Sequence, residues 1–180
     1  MNIQISLATI QEKIILRNLM QYYLYEFSED DGIELNELGE FVYPYLEHYW
    51  NEPDRYPFLI RVENQLAGFA LLRRATYFSL PEDLPGMPMV VAEFFILKKD
   101  RRKGLGSQAA RWLFDQFPGR WEIAQMKTNL VGQAFWRKVI GEYCRGAYGE
   151  VLLDDSRWKG PVQVFENSAR FIDGSISNSD

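Results

Sequence analysis

A mixed α/β fold, one central mixed β-sheet flanked by helices on both faces, is predicted for this 180-residue chain by three features of its sequence. An alternating apolar run at the N-terminus passes directly into a helical period. Two apolar runs within residues 58–72 meet at a polar turn, as the strands of a hairpin do. Residues 90–117 then run from an apolar strand through a basic, glycine-bearing turn into a helix whose Ala110, Leu113, Phe114 and Phe117 follow the i, i+3, i+4, i+7 spacing. Hairpins mixed with crossovers exclude a fully parallel sheet.

Taken in order, Ile3, Ile5 and Leu7 alternate with Asn2, Gln4 and Ser6, the period of a half-buried strand. Thr9-Ile10-Gln11-Glu12 matches a capping box, and Leu16, Met20, Tyr23, Leu24 and Phe27 form one face of a helix expected to end near Phe27. Residues 28–40, rich in Glu and Asp with glycines at 32 and 39, read as an exposed acidic loop. A short aromatic helix is expected over 42–50, then a hairpin of 58–62 and 66–72 turning at 63–65. Prolines and a glycine mark 81–88 as loop. After the central strand, loop and helix, Pro118-Gly119 is a stop and 121–126 a further strand. Asn129 opens a helix with Val131, Phe135 and Val139 on one face, ending near Gly141. Two strands, 144–153 and 161–165, flank the polar turn Asp154-Asp155-Ser156. Residues 1–167 are expected to form one domain, with 168–180 a disordered tail.

Composition narrows the function classes. An apolar fraction of 47% and a charged fraction of 25% suit a soluble globular protein, and 27 aromatic residues (12 Phe, 10 Tyr, 5 Trp) point to an aromatic core or a lined pocket. The net charge of −5 argues against nucleic acid and anionic membrane as partners. A single cysteine, Cys144, excludes an intramolecular disulfide, and a single histidine, His48, argues against a His/Cys metal site, so no metal is expected. The N-terminus lacks the pattern of a signal peptide, and no stretch approaches the ~18 apolar residues of a membrane span, so a cytoplasmic location is expected.

The turn at 98–107 carries the chemistry. Unpaired amides at a helix start, two glycines that admit a ligand, and Arg101, Arg102 and Lys103 together predict a phosphate site. The pattern G-x-x-x-x-G-K-S/T is absent. Gly104-Leu105-Gly106-Ser107-Gln108-Ala109 meets the dinucleotide fingerprint literally, with Glu122 near the expected acidic position. The polar run 98–103 nevertheless separates that glycine from its strand, and repeated βαβ alternation is missing. A third pattern, Arg101-x-x-Gly104-x-Gly106 between strand and helix, resembles the acetyl-CoA signature Q/R-x-x-G-x-G/A of the GNAT superfamily of N-acetyltransferases. Downstream, Asn129-x-x-Gly132-x-x-Phe135-Trp136-Arg137-Lys138 is similar to that family's N-x-x-A-x-x-F/L-Y-x-K. The order of elements over residues 2–166 also looks like the family's.

The resemblance implies a GNAT-like acyl-CoA N-acyltransferase fold and acetyl-CoA as co-substrate. Its pyrophosphate would be held by the amides of Arg102, Lys103, Gly104, Leu105, Gly106 and Ser107, with the charges of Arg101, Arg102 and Lys103 and the Ser107 hydroxyl. Its pantetheine arm would pair with the backbone of Phe95, Ile96 and Leu97, whose side chains are otherwise plain core. Asn129, Phe135 and Trp136 are carried over from the second motif. Glu93, a carboxylate in an apolar strand, is either the base, directly or through a water, or half of a structural ion pair. The Ile96 amide is the implied oxyanion donor. Trp136 stands where the family commonly has a tyrosine acid, so Tyr143 or Tyr148 from the next strand, or more weakly Cys144, would protonate the leaving thiolate, unless it leaves unassisted.

The function so implied is acetyl transfer to a primary amine of a small molecule, peptide or protein by direct attack on the thioester. The alternative is a catalytically degenerate acyl-CoA-binding or protein-interaction module. Tyr22, Tyr23, Tyr25 and Glu26, ahead of the acidic stretch, occupy the family's acceptor side and suggest a cationic acceptor. Either a monomer or a homodimer is compatible with the exposed edges of such a sheet.

Overall fold

The computed structural model describes residues 2–78 and 86–167. Its strands hydrogen-bond in the order β1 (Ile3–Leu7), β2 (Arg55–Val62), β3 (Gln65–Arg74), β4 (Met89–Ile96), β5 (Arg120–Ala124), β7 (Lys159–Glu166), β6 (Gly149–Asp154), a mixed sheet as expected. The chain divides into two compact units, Met1–Arg73 with Ala92–Leu105, and Arg74–Val91 with Gly106–Asp180. The proposed tail 168–180 and most of the predicted loop 81–88 lie outside the described residues. Among the described residues no helix is long and apolar enough to cross a membrane.

In the first unit, β1 (Ile3–Leu7) pairs antiparallel with β2 (Arg55–Val62), and β2 with β3 (Gln65–Arg74). Glu63 and Asn64 both have positive φ, 48° and 64°, which a two-residue hairpin turn requires. The capping box forms as predicted: Thr9 Oγ1 accepts from the Glu12 amide and the Glu12 carboxylate accepts from the Thr9 amide. The helix that follows, α1 (Lys13–Asp31), runs past the expected stop at Phe27, because nothing before Gly32 adopts the left-handed cap. The predicted acidic loop is therefore in part helix. The side chains of its Glu29, Asp30 and Asp31 lie outside the described residues, and its remainder is turned by Asn36, whose side chain accepts from the amides of Leu38 and Glu40.

The predicted aromatic helix over 42–50 shrinks to α2 (His48–Asn51). Pro44 disfavours the helical region at Tyr43, and the segment proceeds by i to i+3 turns instead. Leu16, Leu19, Met20 and Leu24 of α1 pack on Leu59, Phe69 and Leu71 of the hairpin and on Phe95 of β4 (Met89–Ile96). Leu97 N–H donates to the Ala67 carbonyl at 2.8 Å. A side chain at Gly68 would sit 2.0 Å from the Phe95 carbonyl oxygen, so this glycine lets the two strands close. Within this unit β4 is the edge strand.

In the second unit, Met89 and Val90 of β4 pair in parallel with Trp121 and Glu122 of β5 (Arg120–Ala124). Antiparallel pairing continues from β5 to β7 (Lys159–Glu166) and on to β6 (Gly149–Asp154). The core gathers on Phe114 of α3 (Leu105–Gln116). Its ring lies 4.9 Å from both Trp121 and Phe165 and 5.0 Å from Tyr143 of α4 (Leu130–Tyr143). The buried face of α4 is Gln133, Trp136, Val139, Ile140 and Tyr143 rather than the predicted Val131, Phe135 and Val139. Val131 is 83% exposed.

The helix also outruns Gly141. Arg145 takes the left-handed conformation and the Gly146 amide reaches back to the Gly141 carbonyl, a Schellman stop. The strand expected to begin at Cys144 starts only at Gly149 for that reason. Glu122 is fully buried and satisfied by the Thr76 hydroxyl, the Tyr77 amide and Arg120. It anchors the 76–78 segment, a role unrelated to a dinucleotide ribose.

Candidate active site

Glu93 lies half-buried in β4, in the first unit. Its carboxylate accepts hydrogen bonds from the Tyr23 hydroxyl and, at 2.9 Å, from the Tyr43 hydroxyl. Tyr23 sits on the inner side of α1, its ring held among Phe27, Phe69 and Phe95 at centroid distances of 4.8, 5.8 and 5.9 Å. Tyr43 precedes α2. Burial first, then the charge of Glu93, pushes its phenol far above the usual range, so it stays protonated and donates. Tyr49 of α2 is 3% exposed, and its hydroxyl has no hydrogen-bond partner among the described residues. Burial and then Glu93 push it up to about 12, against the opposing pull of Arg55 and Arg73.

The turn beyond β4 begins with a 3-10 segment, Lys98–Asp100. Arg101 folds back on its own unit: Nε donates to the Ile96 carbonyl at 2.6 Å, a terminal nitrogen bonds both Glu26 oxygens at 2.7 and 2.9 Å, and the guanidinium stands 5.4 Å over the Phe95 ring. Arg102 and Gly104 take left-handed φ values of 62° and 80°, which lead the chain into α3 at Leu105. Arg102 and Lys103 are exposed, the latter 3.6 Å from Asp100. The amides of the first turn of α3 have no partner within the helix and lie at its positive end. Two exposed cations beside such amides, reached past a glycine, fit a pyrophosphate. Arg101, expected to add its charge to that site, is engaged by Glu26.

In the second unit Asn129 caps α4, its side-chain oxygen accepting from the Gly132 amide at 2.8 Å. Phe135 is half-buried against Trp136, with centroids 4.9 Å apart, and Trp136 is 6% exposed in the core with Phe114. Tyr143, expected on a strand, is in the last turn of α4, where its hydroxyl donates to Asp115 at 2.7 Å. Tyr148 is half-buried just before β6 and lines an open depression of about 400 Å³ with Arg120, Val164 and Glu166. Among the described residues no group of three or more His, Cys, Asp or Glu side chains is placed to hold a metal ion.

The first unit thus joins to Glu93 two tyrosines that no sequence spacing connects to it, and to Arg101 a glutamate from α1. A polar side chain inside an apolar strand was the signal for Glu93. Nothing comparable marked Tyr43.

The model of the acetyltransferase (GNAT) family matches residues 17–141. No curated protein matches the sequence. Similar solved structures include an acetyltransferase from Thermus thermophilus, at 17% identity over 92% of this chain and 97% of that one, with a TM-score of 0.67. Aminoglycoside acetyltransferase AAC(6')-Ib in complex with coenzyme A is 16% identical, covering 97% of this chain and 100% of its own, with a TM-score of 0.61. PaiA N-acetyltransferase from Thermoplasma acidophilum in complex with coenzyme A is 13% identical over 92% and 99%, with a TM-score of 0.55. Identities this low speak for a shared fold alone.

Proposed function

This chain belongs to the GNAT family of acetyltransferases, and from that premise we propose that it transfers the acetyl group of acetyl-CoA to a primary amine by direct attack on the thioester. The observation that carries the reading is Glu93: a carboxylate on the edge strand of its unit, held by two phenols, on the strand that leads into the basic, glycine-bearing turn. Acetyl-CoA supplies an activated carbonyl. The amides at the start of α3, with Arg102, Lys103 and Ser107, hold its pyrophosphate. Of Phe95, Ile96 and Leu97, whose backbone the resemblance assigns to the pantetheine arm, Leu97 already donates to the Ala67 carbonyl and accepts from the Asp100 amide, and the Ile96 carbonyl takes Arg101; the Ile96 amide is the group assigned to the developing oxyanion. Asn129 and Phe135 are carried over to the cofactor by resemblance of the second motif alone.

Glu93 takes the proton that the acceptor ammonium must lose before its nitrogen can attack. For the leaving thiolate the resemblance leaves Tyr143 or Tyr148, and the hydroxyl of Tyr143 already donates to Asp115. A thiol pKa of ~8.5 also lets the thiolate leave with little help. The acceptor is a small-molecule, peptide or protein amine. Tyr22 and Tyr25, 60% and 68% exposed on α1, favour a cationic one.

Thiol release from acetyl-CoA across a broad amine panel tests the activity. Glu93→Gln is expected to lower kcat/KM by about a hundredfold. Gly104→Glu, which forces a side chain and a negative charge onto a left-handed position, is expected to abolish stabilisation by acetyl-CoA. Unaltered stabilisation of that variant would remove the cofactor assignment. The buried Trp136, standing where a tyrosine is usual, favours a second reading, a module that binds acyl-CoA without turning it over. Turnover above the rate with water excludes that reading.

A further inference from the structure

We propose that Tyr23 and Tyr43 are positioning residues that clamp the Glu93 carboxylate in its ionised form and fix its orientation, thereby setting the pH below which the site stops accepting a proton. The proposal rests on the reading of Glu93 as the base. Each carboxylate oxygen takes one phenol, Oε2 that of Tyr23 and Oε1 that of Tyr43. Both donors are fixed from behind. The Tyr23 ring is walled by Phe27, Phe69 and Phe95, and Tyr43 packs against that same core cluster, with its ring edge on Tyr45 at 5.7 Å.

The direction of the bonds is fixed as well. A phenol that burial and a neighbouring anion keep protonated can only donate to Glu93, and donation to a carboxylate favours its charged form. Other groups also surround the carboxylate. Tyr49 of α2 interacts with Glu93 through its buried phenol, Arg55 of β2 and Arg73 of β3 act on Tyr49, and Arg101 beside Phe95 is committed to Glu26. Loss of either phenol therefore removes one donor from the carboxylate, in a half-buried place where the neutral acid gains ground.

The test is a pH titration of the Glu93 carboxyl carbon by NMR in protein labelled with 13C-glutamate, the signal being identified by its loss in Glu93→Gln. Tyr23→Phe and Tyr43→Phe are each expected to move the midpoint upward, and the double variant further than either. In parallel, the acidic limb of kcat/KM for the fastest amine of the panel is expected to move to higher pH. The loss of rate is then largest at low pH and shrinks toward the plateau, a pattern that plain structural damage does not give. A carboxyl midpoint unchanged in both single variants overturns the proposal, and the single variants carry the test should the double variant unfold. A midpoint that moves while the rate profile does not supports the clamp and removes Glu93 from the proton path, so failure of the clamp and failure of the catalytic reading are distinguished.

Discussion

Tyr49 holds a hydroxyl that is buried without a hydrogen-bond partner among the described residues. Such a group costs about 1–3 kcal/mol, and a same-shaped apolar replacement escapes that cost. Tyr49→Phe is therefore expected to raise Tm by a few degrees at neutral pH. The phenol, pushed up to about 12 in the folded protein, also links stability to alkali. Because its folded pKa lies above the unfolded value of ~10, its contribution is whole below that value and is lost as pH rises through about 12. The advantage of Tyr49→Phe should accordingly widen between pH 10 and 12, and thermal melts at pH 7 and pH 11 measure both effects. A variant less stable than the parent at pH 7 would mean that the hydroxyl is bonded after all. The same neighbourhood shows what a sequence discloses residue by residue. Glu93 was legible because a charge in an apolar strand demands an explanation, whereas Tyr23 and Tyr43, 70 and 50 residues away along the chain, obey no spacing rule that would attach them to it.

Among the elements, the turn between β4 and α3 divides its arginines between two tasks that its motif does not separate. Arg101 ties the turn to α1 through Glu26 and to its own strand through Ile96, while Arg102 and Lys103 extend outward. Arg101→Lys keeps the charge but loses the forked geometry, and is expected to cost about 1 kcal/mol, a partly exposed pair being screened by solvent. Arg102→Ala with Lys103→Ala is expected to leave Tm nearly unchanged and to weaken acetyl-CoA binding by about tenfold or more. Melting curves and binding isotherms for the two variants separate structure from charge; reversed effects would show that Arg101 serves the ligand.

Elements with their own punctuation were readable in advance: the Thr9–Glu12 capping box, the Glu63-Asn64 turn and the Asn129 cap. The face of α4 was not. Apolar residues at 131, 135, 136, 139 and 140 permit two neighbouring phases, and the true one includes Gln133, a polar side chain buried because it donates to the carbonyls of Met126 and Lys127. Hydrophobic periodicity does not register a residue of that kind.

For the whole molecule the question is whether its two compact units are one cooperative domain. Two elements are shared along their length: β4 gives Met89 to Val91 to the second unit and the rest to the first, and α3 has Leu105 in the first and continues in the second. Unfolding either unit alone would end a strand and a helix in mid-element, leaving backbone groups that no cap satisfies. One calorimetric transition is therefore expected, with equal calorimetric and van't Hoff enthalpies of roughly 110–130 kcal/mol at ~0.7 kcal/mol per residue. Two resolved transitions would establish separate domains. If the proposed co-substrate binds only the folded chain, acetyl-CoA at about 100 times its Kd adds about 2.7 kcal/mol and moves that single peak upward by about 5–10 °C. A peak that splits on addition of acetyl-CoA would show instead that the ligand stabilises one unit without the other.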